Sequence, residues 1–143
     1  LDGARARSIA PATITITQSN DAPIFVSPGR VDVLERDDSE ATTVPFASSI
    51  QPGPTTALDE LDLQTVSFEV IASLSTIPAN LFLQNPVIAA DGSLSVFPAP
   101  DAVGSAIIVF DAVDAEPGNA SFVERRTRGT VTINVRPVND APR

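Results

Sequence analysis

The sequence predicts an all-β fold, and three observations carry that prediction. Short segments rich in Val, Ile, Thr and Phe alternate apolar with polar residues, the period of a half-buried strand. Thirteen prolines and seven glycines fall between these segments and punctuate them as turns. No stretch carries the apolar spacing of a convincing amphipathic helix. A chain of 143 residues suits one domain whose core needs no covalent staple.

The elements follow in chain order. Ala12–Thr17 (ATITIT) is a clean alternation. Pro23–Leu34 (PIFVSPGRVDVL) reads as a first strand broken at Ser27-Pro28-Gly29, where proline removes a ladder donor. Thr65–Ala72 (TVSFEVIA) turns Val66, Phe68 and Val70 inward. Val87–Phe97 (VIAADGSLSVF) reads as a hairpin, with Asp91-Gly92 taking the positive φ values of a tight primed turn. Ser105–Ala112 (SAIIVFDA) is apolar enough for a central strand. Thr130–Arg136 (TVTINVR) places Val131, Ile133 and Val135 on one face.

The ends of the chain repeat one another. Asn-Asp-Ala-Pro stands at 20–23 and again at 139–142, a spacing of 119 residues, and each copy follows an alternating strand. At that offset Thr13 falls on Thr132, Ile14 on Ile133 and Ile16 on Val135. The expected organisation is one period of a tandem array preceded by the tail of another. Residues 1–18 are then the last strand of a preceding repeat or a donor strand, 19–23 a linker, 24–138 the module, and 139–143 an exit linker. The missing initiator methionine agrees with an internal piece of a longer protein.

Composition narrows the chemistry. The chain has no cysteine, histidine, lysine, tyrosine, tryptophan or methionine. Disulfides and thiolate metal sites are excluded, and the usual general base and Schiff-base amine are missing. Nine arginines against eighteen acids give a net charge of −9, which argues against nucleic acid or an anionic membrane surface as partner. A divalent cation is the more natural counter-charge. No apolar run reaches the roughly 20 residues needed to span a bilayer. A paired-carboxylate glycosidase would need sugar-lining aromatics that the acidic turns lack, so no enzyme is expected.

Several motifs in order resemble the bacterial cadherin-like repeats, grouped with tandem-95-type Ig-like modules of large surface proteins. They are VNDAP after a strand, VDVLERD with Glu35, TALDELDLQTVSFEV, DGSLSVFPAPDAVGSA and VFDAVDAEPGNAS. The similarity runs from about Pro23 to Pro142, with its final part repeated at Ala12–Pro23. It implies a seven-stranded Greek-key β-sandwich, strung end to end in an exported protein, with calcium between successive modules. The cadherin linker reads Asp-x-Asn-Asp-Asn-x-Pro; PVNDAP here lacks the first aspartate and the second asparagine.

Calcium takes six to eight oxygen ligands, so several carboxylates must converge with amide or backbone carbonyls. Asp114 and Glu116 end the sixth strand, and Asn139-Asp140 is expected at the same end if the last strand runs antiparallel to it. The resemblance adds Glu35, giving Glu35, Asp114, Glu116, Asn139 and Asp140 as one candidate metal set. A second, weaker set at the opposite pole is Asn20, Asp21, Asp59, Glu60 and Asp62. Either group can also be solvated loop acids, with Asn139-Asp140 forming only an Asx turn. Glu35–Glu40 (ERDDSE) and the arginine cluster Glu124–Gly129 (ERRTRG) read as solvated loops that balance charge.

The expected function is a non-catalytic structural or adhesive repeat of an extracellular bacterial surface protein or fibre. It would be stiffened by calcium at its junctions and joined to neighbouring repeats or to identical subunits, with strand exchange available to the N-terminal segment. The alternatives are a glycan- or protein-binding module and a passive spacer of a secreted enzyme.

Overall fold

The two larger of three sheets face one another across a single apolar core. In the computed structural model, residues 10–15 and 19–139 are described. Among them nine strands run in chain order: β1 (Ile24–Val26), β2 (Arg30–Leu34), β3 (Thr42–Pro45), β4 (Ser48–Gln51), β5 (Thr65–Val70), β6 (Phe82–Ile88), β7 (Ser93–Pro98), β8 (Gly104–Ala115) and β9 (Arg126–Arg136). Among the described residues helix is limited to one short turn, α1 (Leu58–Leu61), and a 3-10 turn at Ala72–Leu74. The larger sheet has the order β2-β9-β8-β5, the smaller β3-β7-β6, and β1 pairs with β4 alone. The fold is therefore all-β and sandwich-like.

The sequence signals explain most boundaries. Ser27-Pro28-Gly29 ends β1 as expected and lets the chain cross to the larger sheet, where β2 lies parallel to β9. The β6–β7 hairpin forms around Gly92, at φ +89°, but Asp91 keeps a negative φ and caps the turn by accepting the Ser93 amide at 2.9 Å. A single left-handed residue thus suffices where two were expected. Residues 42–51 gave no strand signal, yet they form β3 and β4. Phe46 and Ala47 interrupt them, both amides donating to the Gly92 carbonyl at 3.1 and 2.8 Å. Tertiary pairing there overrides a weak local pattern.

The core is built by parity. Ala106, Ile108, Phe110 and Ala112 alternate inward from β8, and Val131, Ile133 and Val135 from β9, all almost fully buried. Leu94 and Val96 of β7 meet them from the opposite sheet. Phe110 stands at the centre, with the rings of Phe25, Phe46 and Phe68 at 5.6, 5.5 and 6.2 Å in tilted or edge-on contact. Such pairs contribute roughly 0.5–1.5 kcal/mol each beyond the area they bury.

The β8–β9 ladder fixes two poles. Val113 pairs with Arg126 at one end and Gly104 with Val135 at the other. The end of β8 therefore lies beside the start of β9, and the end of β9 lies at the far pole. Of the N-terminal alternation, Ala12–Thr15 carries no strand pairing among the described residues and Ile14 is 85% exposed; the remainder, Ile16 and Thr17, lies outside them.

Candidate functional site

The linker preceding β1 is fastened to the pole where β8 ends. Asn20 donates through Nδ2 to the Asp114 carboxylate at 2.9 Å and to the Val123 carbonyl at 2.8 Å. Its Oδ1 accepts the Gln64 amide at 3.0 Å. The Asp21 amide donates to Glu60 Oε1 at 2.7 Å, and Pro23 is fully buried, its carbonyl accepting the Thr127 hydroxyl. Both carboxylates that receive the linker are themselves buried, Glu60 at 2% and Asp114 at 0% exposure.

Each is placed by a local rule. Asp114 continues the inward parity of Phe110 and Ala112, which brings a carboxylate into the core register at the strand's end. Its second oxygen accepts the Arg125 amide at 2.6 Å, so the charge is held by two donors, one to each oxygen: the Asn20 side-chain amide and the Arg125 backbone N–H. Glu60 sits in α1 against Gly53, so closely that a Cβ on Gly53 would fall 2.1 Å from Oε2. Burial raises the Glu60 carboxyl above the usual carboxylate range; the Asp21 amide opposes that, while the charges of Asp21, Asp59 and Asp114 reinforce it.

Beside this anchor lies an open cavity of 630 Å³, lined among others by Asn20, Asp59, Glu60, Gln64 and Glu116. Two buried oxygens here, Glu60 Oε2 and Gln64 Oε1, lack a hydrogen-bond partner among the described residues. Unpaired buried oxygens of this kind are the donors a hard cation takes. Against that, no group of three or more Asp or Glu side chains is arranged to hold a metal ion among the described residues.

The first candidate set is therefore divided. Asp114 belongs to the linker anchor and Glu116 to the cavity wall. Glu35 lies at the far pole, where its Oε1 accepts the Val138 amide at 2.7 Å and its own amide donates to the Arg136 carbonyl. Asn139 follows at that same far pole, and Asp140 lies outside the described residues. The expectation that antiparallel pairing brings Asn139 to Asp114 is wrong, because it sets the end of β9 beside the start of β8. The second set was expected at the opposite pole, but Asn20 binds Asp114 and shares the cavity wall with Glu116, so the set stands at the pole where β8 ends. Within it Asn20, Asp21 and Glu60 meet and Asp59 lines the cavity, while Asp62 is exposed beyond α1. Sequence reasoning missed Gln64 and Arg125. It also placed Asp114 past the alternation, although counting by twos from Phe110 would have turned it inward.

The arginine cluster is only partly a loop. Arg126 and Arg128 lie within β9 and bind Asp111 of β8 on the outer face, Arg128 through Nε at 2.8 Å. Arg126 also bonds Glu69 at 2.7 Å and Glu124 at 2.8 Å. The Arg128 guanidinium beside Asp111 holds its carboxyl below the usual range. These arginines balance local acids, as expected, but from strand positions.

No family model matches the chain, and no curated protein matches it. Among solved structures it is similar to a nucleoside hydrolase-related hypothetical protein from Saccharophagus degradans that is associated with carbohydrate metabolism, at 14% identity and a TM-score of 0.47. That match covers 82% of this chain and 26% of the other, so the chain spans about a quarter of the length of that structure. A likeness this distant carries no argument about activity. No helix among the described residues is long and apolar enough to cross a membrane.

Proposed function

We propose that this chain is a non-catalytic structural module of a larger, exported bacterial surface protein, and that its two poles are fasteners for linkers. The observation that carries the reading is Asn20, whose amide joins Asp114, Val123 and Gln64 into one socket. A socket built to hold a linker fixes the angle at which a neighbouring module leaves. Counting β1 with β2 and β3 with β4 as single interrupted strands reduces the nine strands to the seven of a cadherin-like Greek-key sandwich.

Calcium fits this reading as a reinforcement of the socket. Glu60, Gln64, Asp59 and Glu116 are the residues that would hold it, with the unpaired buried oxygens of Glu60 and Gln64 as the starting donors. When bound, the ion supplies positive charge to a pole where several carboxylates repel one another. The chain's own residues do the positioning: Asn20 and the Asp21 amide hold the linker across the pole with or without the ion.

Thermal melts with calcium and with chelator test the proposal. Calcium is expected to raise the midpoint, and Glu60→Gln to remove most of that rise. Sodium chloride at equal ionic strength is the control for simple screening, which acts on exposed charges within roughly 10 Å. A midpoint indifferent to calcium sinks the cation half. Asn20→Ala is expected to lower the midpoint in either condition, and no change would remove the socket itself.

A further inference from the structure

The alternating segment and the Asn-Asp-Ala-Pro that follows it occur twice in this sequence, and among the described residues each copy docks a different part. In the first, the linker half is docked: Asn20 fills the socket and Pro23 is buried. Of the alternating segment before it, Ile14 is 85% exposed. In the second, the strand half is docked: Val131, Ile133 and Val135 are 0%, 0% and 2% exposed, as an inner strand between β2 and β8. At the far pole Val138 and Asn139, which lead into its linker, are exposed.

The offset of 119 residues pairs Ile14 with Ile133 and Asn20 with Asn139. Overlaying the copies yields one complete unit, whose strand is buried in one module and whose Asn-Asp-Ala-Pro is anchored in the next. We propose that Asn139 is a docking residue for a following module of the same build. It would take there the place that Asn20 takes here, against a carboxylate equivalent to Asp114 and an amide equivalent to Gln64. Ile14 correspondingly belongs to the core of a preceding like-built sheet, in the slot that Ile133 fills. The contact is head-to-tail and heterologous, so it can repeat from one module to the next along the chain. It also places Asn139 in a partner's socket instead of a site within its own module. This inference rests on the module reading above and requires no cation.

A fusion of residues 1–142 directly to residues 24–143 tests it, because Asn139 to Pro142 of the first unit then stand where Asn20 to Pro23 stand in the second. The second unit is expected to fold and to melt with the single chain. Asn139→Ala in the fusion should shift half of the unfolding amplitude downward by the same few degrees that Asn20→Ala costs the single chain. A second unit that fails to fold, or an Asn139→Ala variant that melts unchanged while Asn20→Ala in the single chain does not, overturns the inference and leaves the socket standing. An Asn20→Ala single chain that melts unchanged overturns both.

Discussion

At the scale of residues, identical side chains do different work according to where the fold delivers them. Ile133 is fully buried, whereas Ile14, its sequence counterpart, is 85% exposed. Ile133→Ala is expected to cost about 2–5 kcal/mol, the range for truncating a buried aliphatic side chain. Ile14→Ala should fall within about 0.5 kcal/mol, as an exposed position does; denaturant titrations of the two variants check both. Asp111 offers a pH test. Its carboxyl is held below the usual carboxylate range, chiefly by the Arg128 hydrogen bond, with burial opposing. A depressed folded pKa contributes stability that is full above the unfolded value and is lost as pH falls through the folded one. Asp111→Asn should therefore lower stability at neutral pH by about 1.5–3 kcal/mol, the worth of hydrogen bonds to charged groups. It should also flatten the loss of stability below about pH 4, which melts across a pH series would read.

At the scale of elements, β9 shows how a strand with a glycine in its interior is tolerated. Gly129 lies under Phe110, and a Cβ there would fall 2.4 Å from the ring. The missing side chain is what lets Phe110 occupy the centre of the core among three other phenylalanines. Gly129→Ala should cost roughly 1–3 kcal/mol by overpacking, and Phe110→Leu in the same background should recover part of it; melting of the single and double variants checks this. The central strands β8 and β9 and the hairpin at Gly92 were legible in the sequence because period-two alternation and a turn glycine are local signals. The pair β3 and β4 was not, since TTVPFASSI alternates poorly and takes its conformation from the Gly92 carbonyl and from β7.

At the scale of the whole molecule, one group of acids is matched by arginines along a flank and another gathers at a pole. Arg126 and Arg128 pair with Glu69, Asp111 and Glu124 along the outer face of the larger sheet. Glu60, Asp114, Asp59 and Glu116 are left to the pole that receives the linker, in a chain whose net charge is −9. Self-repulsion at such a charge works against compactness, which is why the calcium and sodium melts must be read against one another. The second acidic set was legible as a group because linker and turn acids stand out locally. The membership of the first set was not, since it required knowing which strand ends share a pole.

The sequence by itself determined the all-β class and the inward faces of the long strands, both of them properties of neighbouring residues. Only the tertiary structure decided which carboxylates meet. The eleven-residue β9 carries the chain roughly 35 Å from one pole to the other, so Asn139 leaves Asp114 behind and Asn20 takes its place there. Spacing along a strand records distance travelled, and the partner at the far end depends on how the strands are ordered in the sheet.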